Sequence, residues 1–249
     1  MERTALQRRL TWQAGTVAQV VPETTQTKSI VLDVPGWTGH RAGQHVDVRL
    51  TAEDGYQAER SYSIASGPED ASLVITVERI DDGEVSPYLT EELRVGDSLE
   101  LRGPIGGYFV WEASLGGPLL LIGGGSGIVP LRAMLRHYIA TGSRARLRAL
   151  YSSRSLPDVI YREELMQMIT DHELDIRFTL TRQQPEGWSG YARRIDGRLL
   201  TEIAFPTEAK PLTYICGPTA FVETAAETLV ELGHNPVTIR TERFGPTGG

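Results

Sequence analysis

Arg60-Ser61-Tyr62-Ser63-Ile64-Ala65-Ser66 sets a guanidinium, a phenol ring and serine hydroxyls along one short stretch. Arg60 could neutralise a phosphate, Tyr62 could stack on a planar ring, and Ser63 could donate a hydrogen bond to a ring nitrogen. The same letters also fit a strand with a partly buried Tyr and two surface hydroxyls. Gly83-Glu84-Val85-Ser86-Pro87-Tyr88-Leu89 reads as a loop entering a helix, with Ser86 as N-cap and Pro87 at the first helical position. Free N–H groups at such a start can receive an anion. Gly123-Gly124-Gly125-Ser126-Gly127 offers close backbone approach to phosphate oxygens. No Gly-Lys-Ser/Thr follows it, so it is not a P-loop.

The elements around these stretches change character midway. Val46–Leu50, Leu73–Val77 and Leu99–Arg102 are short alternating or β-branched runs. They are separated by the turn signals Pro35-Gly36, Asp54-Gly55, Gly67-Pro68 and Asp82-Gly83, which predicts an antiparallel barrel or sandwich. From Leu119 the pattern is continuous apolar strands alternating with amphipathic helices, the mark of a parallel doubly wound sheet. Leu119–Ile122 feeds the glycine cluster, then a helical stripe of Ile128, Leu131, Leu135 and Tyr138 with Pro130 in its first turn. Leu147–Tyr151, a helix near Tyr161–Thr170, Ile176–Thr181 and Leu212–Cys216 follow. A helix with stripe Val222, Ala225, Leu229 and Leu232 ends at Gly233, and Val237–Phe244 closes as a strand. The expected organisation is a tail over residues 1–13, a barrel over 14–113 and an α/β domain over 114–249.

Composition narrows the classes. The chain has 249 residues and a net charge of −7, so no basic field attracts nucleic acid. Cys216 is the single cysteine, which excludes a disulfide framework, a cysteine zinc site and a four-thiolate cluster supplied by this chain. No secretory signal or membrane span is visible, so a cytoplasmic protein is expected; the expected form is a monomer.

Taken in order, these stretches resemble the ferredoxin–NADP⁺ reductase family. Arg60-x-Tyr62-Ser63 with Ile64-Ala65-Ser66 resembles its flavin signature, and Gly83-x-x-Ser86-x-x-Leu89 its second flavin element. Gly123–Pro130 resembles its nicotinamide-nucleotide loop, Cys216-Gly217-Pro218 its fourth-strand motif, and Glu242-Arg243-Phe244 its terminal Glu-x-aromatic. Together the motifs span residues from about 14 to 244. Plastid-type members end at an aromatic residue, whereas this chain continues through Gly245–Gly249.

The resemblance implies a flavin-binding antiparallel β-barrel followed by a Rossmann-like NAD(P)-binding domain, with hydride passing between the cofactors in the cleft. Tyr62 would stack on the isoalloxazine, Ser63 would lie near N5, and Arg60 would pair with the pyrophosphate, helped by N–H groups of Gly83, Val85 and Ser86. Ile64, Ser66, Val77, Arg79 and Phe244 would complete an FAD site. Gly124, Gly125, Ser126, Gly127, Ile128, Ser153, Arg154, Thr181, Arg182, Cys216, Gly217 and Pro218 would hold the nicotinamide nucleotide. Ser63, Cys216 and Glu242 would flank the hydride path. NADPH is expected over NADH because Thr181-Arg182 stands where NADP-using members carry Ser-Arg, with Arg154, Tyr191 and Arg193 as possible helpers. The expected acceptor is a separate [2Fe–2S] ferredoxin or the iron–sulfur component of an oxygenase. The rival readings are a reductase of free flavins, quinones or ferric chelates, and an electron-transfer subunit without turnover of its own.

Overall fold

The computed structural model describes residues 10–244. The expectations for Met1–Arg9 and for the Gly245–Gly249 tail lie outside them. The first half is six antiparallel strands: β1 (Gln13–Pro22), β2 (Thr27–Asp33), β3 (His45–Thr51), β4 (Gln57–Ser63), β5 (Leu73–Glu78) and β6 (Ser98–Ile105). They run in the order β4-β3-β6-β1-β2-β5, and an Ile64–Ile75 bridge joins the two ends of the sheet into a barrel. Alternation does the sorting. Val46 and Val48 of β3 fill the interior with Leu99, Leu101, Ile30 and Leu32. Asp47 and Arg49 point out, where Arg49 grips Glu100 through two hydrogen bonds of 2.9 and 3.0 Å. Trp12, ahead of β1, lies under the Arg49 and Arg102 guanidiniums at 4.2 and 4.7 Å.

The second half is a five-stranded parallel sheet. Its elements are β7 (Leu119–Gly124), α1 (Ile128–Ala140), β8 (Leu147–Ser153), α2 (Arg162–His172), β9 (Asp175–Leu180), α3 (Gly197–Ile203), β10 (Leu212–Pro218), α4 (Thr219–Glu231) and β11 (Ile239–Phe244). The order is β11-β10-β7-β8-β9, so the chain reverses direction across the sheet between β7 and β10. A crevice outside the strand C-termini at such a switch point is where these sheets take ligands. Every residue of β7 is buried, because α1 and α2 cover one face and α3 and α4 the other.

Several boundaries differ from the sequence reading. Leu232 is 38% exposed and does not continue the buried stripe of Val222, Ala225 and Leu229. It lies beyond the end of α4, where the chain turns away through Gly233. Pro236–Thr238 forms a short turn that leaves Val237 85% exposed, so the last strand starts at Ile239. Tyr161 has φ +58 and precedes α2 rather than opening it. The two halves share a core: Ala42, Ala65, Phe109 and Trp111 from the barrel side cluster with Leu131, Met134 and Leu135 of α1.

Candidate functional site

β4 is the polar edge of the barrel, and its C-terminal end carries Arg60, Tyr62 and Ser63. Arg60 does not stand free. Its Nη2 meets Glu84 Oε2 at 2.6 Å, and Tyr56 donates its hydroxyl to the other Glu84 oxygen at 2.7 Å. Those two partners hold the Glu84 carboxyl below its ordinary range. Tyr62 is half-buried, and burial pushes its phenol up, so the ring is neutral. Ser63 Oγ is buried without a hydrogen-bond partner among the described residues. Ile64 donates its N–H to Gln44 O at 2.9 Å. Ser66 Oγ accepts the Val74 N–H at 3.1 Å, which ties the motif to β5.

The Gly83–Leu89 stretch is arranged differently from its sequence reading. Ser86 is not an N-cap: the chain is already helical there and turns π-helical over Tyr88–Glu92. Its hydroxyl instead accepts the Ile80 N–H at 3.0 Å and closes the loop onto the end of β5. Gly83 spends its N–H on Ile80 O at 2.9 Å, so it is not a donor for an anion. The Val77 side chain is fully buried in the barrel core. Arg79 is tied to Asp81 at 2.6 Å and to Glu91, so its guanidinium braces this loop.

Across the seam, β7 ends in Gly123-Gly124 and a tight turn, Gly125–Gly127, leads into α1. A Cβ on Gly127 would stand 2.1 Å from Cys216 O, so only glycine lets this turn lie on the end of β10. Gly217 has φ +153 and packs against Gly124 in the same way. The result is a backbone cradle between Gly124–Ile128 and Cys216-Gly217-Pro218. Cys216 is fully buried, and burial together with the neighbouring Glu242 raises its thiol well above the ordinary range. Burial lifts the Glu242 carboxyl to about 7, and its Oε2 has no hydrogen-bond partner among the described residues. Phe244 is half-buried against the cluster that contains Cys216.

The ends of β8 and β9 are joined by backbone bonds. Thr181 N–H donates to Ser153 O at 2.9 Å, and Arg182 N–H to Arg154 O at 2.9 Å. This brings Arg154 and Arg182 side by side with both side chains exposed. Arg193 is drawn away to Glu202 at 3.3 Å, and the Tyr191 hydroxyl accepts from Arg177 at 3.4 Å, so neither helper stands free. Glu84 escaped the sequence reading, although a carboxylate inside Gly83–Ser86 opposite an arginine was visible as a charge pattern.

These features fit a flavin and a nicotinamide nucleotide. Ser63 Oγ and Glu242 Oε2 are buried polar atoms lacking partners among the described residues, which a bound polar ring can satisfy. The glycine cradle gives backbone access for phosphates.

Residues 16–110 match the oxidoreductase FAD-binding domain family, and residues 121–227 the oxidoreductase NAD-binding domain family. Glycine betaine monooxygenase reductase subunit from Chromohalobacter salexigens is 31% identical over 95% of this chain and 66% of its own length. The ferredoxin–NAD(P)⁺ reductase component of the naphthalene 1,2-dioxygenase/salicylate 5-hydroxylase systems from Ralstonia is 29% identical over 94% of this chain and 69% of its own. This chain thus spans about two thirds of the length of such relatives. Among solved structures, the FAD/NAD-binding domain of nitric oxide dioxygenase from Vibrio cholerae superposes with a TM-score of 0.84 at 26% identity, covering 94% of this chain and 99% of that one. With an FAD-binding barrel joined to a NAD-binding parallel sheet over nearly the whole chain, this protein belongs to the ferredoxin–NADP⁺ reductase family of flavoprotein oxidoreductases.

Proposed function

We propose that the chain oxidises NADPH at its bound FAD and delivers the electrons singly to a separate iron–sulfur acceptor, a [2Fe–2S] ferredoxin or the iron–sulfur component of an oxygenase. The flavin, when bound, supplies the conversion of a two-electron hydride into single electrons. The chain supplies place and electrostatics. Tyr62 presents a neutral ring for stacking, and Arg60 exchanges Glu84 for pyrophosphate oxygens. Ser63 directs its hydroxyl at the reacting edge of the ring. The Gly125–Gly127 turn seats the nicotinamide nucleotide's phosphates, and Cys216 with Glu242 borders its ring. Arg182, with Arg154 beside it, provides guanidiniums for a 2′-phosphate, the basis for NADPH over NADH.

The observation that supports this reading is that the barrel and the parallel sheet pack as one core. Ala65, two residues past Ser63, belongs to the same buried cluster as Cys216, which lies opposite Glu242 in the sheet. The naming of similar proteins as reductase components of oxygenase systems supports the choice of acceptor. Among the described residues no helix is long and apolar enough to cross a membrane.

Reconstitution tests it. The enzyme, NADPH and candidate ferredoxins are mixed, and cytochrome c reduction is followed. Acceleration by a ferredoxin is the expected result. Rapid turnover of free flavins, quinones or ferric chelates, with no response to any ferredoxin, would assign a small-molecule acceptor instead.

A further inference from the structure

α1 leaves the Gly125–Gly127 turn and, one turn later, reaches back to the barrel. Arg132 donates Nη1–H to Ala65 O at 2.9 Å, just past the strand end that holds Ser63. Its Nε meets Glu164 at 2.6 Å, and its guanidinium lies 4.5 Å from the Tyr161 ring centroid. Arg136 takes Asp70 in a two-pronged grip, Nε to Oδ2 and Nη2 to Oδ1, both at 2.7 Å, and gives Nη1–H to Glu164 at 2.5 Å. Asp70 in turn accepts the Gly67 N–H at 2.6 Å, and His137 meets Glu69 at 2.7 Å. The segment Ala65–Asp70, which continues the Arg60–Ile64 stretch, is therefore held by the helix that continues the dinucleotide turn.

Docking alone does not require this seam, because Ala42, Ala65, Phe109 and Trp111 already bury against α1. Apolar contact is non-directional, whereas a planar fork on a carboxylate fixes angle and register. The Arg132 and Glu164 side chains are only 13% and 23% exposed, so solvent screens them less than a surface pair. We infer that Arg132 and Arg136, through Ala65, Asp70 and Glu164, are positioning residues that set the register between the Ser63 strand end and the Gly125–Gly127 turn. The register fixes the distance between the two cofactors, so the inference rests on the proposed function. A displacement near 1 Å in such a geometry costs on the order of a hundredfold in rate.

The test compares FAD-loaded wild type with Arg132→Met, which keeps the apolar stem, and Asp70→Asn, which weakens the grip of Arg136. Each variant is expected to bind FAD and NADPH within about twofold of wild type while flavin reduction at saturating NADPH slows about tenfold or more. Arg136→Lys, which keeps the charge and loses the fork, should stay slow. Amide hydrogen exchange supplies a readout independent of turnover: Ala65–Asp70 and Gly125–Ile128 should loosen together. Wild-type reduction rates in folded variants would overturn the inference. So would a lower melting temperature or FAD content with an unchanged rate in the loaded fraction. If Arg132→Met does not fold, Asp70→Asn and Arg136→Lys are read by the same criteria. If wild type itself is not reduced by NADPH, the proposed function fails, and exchange decides the seam alone: loosening confined to Ala65–Asp70 rejects it.

Discussion

Cys216 and Glu242 lie opposite each other in the parallel pairing of β10 and β11, and Glu242 Oε2 is buried there without a hydrogen-bond partner among the described residues. Burial lifts this carboxyl from 4.5 to about 7. The folded protein thus keeps a proton that the unfolded chain has released. The resulting stabilisation is complete below the unfolded value and is lost as pH rises through the folded one. Glu242→Gln, which cannot ionise, should melt close to wild type near pH 4 and above it near pH 8, by on the order of 1–3 kcal/mol. Thermal midpoints across that range check it, and equal midpoints near pH 8 would show that the carboxyl is not buried as described.

Tyr62→Ala should weaken FAD binding by about 1–3 kcal/mol, the scale of base–aromatic stacking. Arg60→Ala should weaken it as well. Glu84→Gln should change it by less than about tenfold, because an exposed ion pair contributes at most about 1 kcal/mol. Fluorescence titration of the apoprotein with FAD measures all three. A larger effect from Glu84→Gln than from Arg60→Ala would place the diphosphate elsewhere.

Ser63→Ala should leave flavin content unchanged and slow flavin reduction roughly ten- to a hundredfold, the cost of an oriented hydrogen bond worth about 1–3 kcal/mol at the barrier. Anaerobic stopped-flow at saturating NADPH reads it directly. An unchanged rate removes Ser63 from the reacting edge.

Arg182→Ala should lower kcat/KM for NADPH and leave that for NADH nearly unchanged, because only the 2′-phosphate meets the guanidinium. Steady-state kinetics with both nucleotides decide the point. Equal losses for both would make Arg182 a structural residue of the β9 end.

The sheets were legible where apolar period was strong, and so were the glycine-marked stretches. β1 was not, because its buried positions are the small Gly15 and Val17, and the pairing slips by a residue between Val17 and Gln19. α3 carried a readable start, Asp196 accepting the Leu199 N–H at 2.7 Å, but its seven residues, about two turns, are too few for Leu199, Leu200 and Ile203 to stand out as a stripe. The motif residues were found by type and order. Their partners were not: Glu84 on Arg60, and Glu164 and Asp70 on Arg132 and Arg136, come from segments far apart in sequence. Arg132 and Arg136 look in sequence like surface cations, yet each reaches across to the barrel side, Arg132 to Ala65 O and Arg136 to Asp70.

In the proposed function one chain brings FAD and NADPH into contact across the Ser63 and Cys216–Glu242 seam. Anaerobic mixing of the FAD-loaded protein with NADPH, followed at the flavin absorbance, tests it most directly. The expected result is one FAD per chain, bleached completely by a single equivalent of NADPH. Protein that binds no FAD, or FAD that stays oxidised under excess NADPH and NADH, would contradict it.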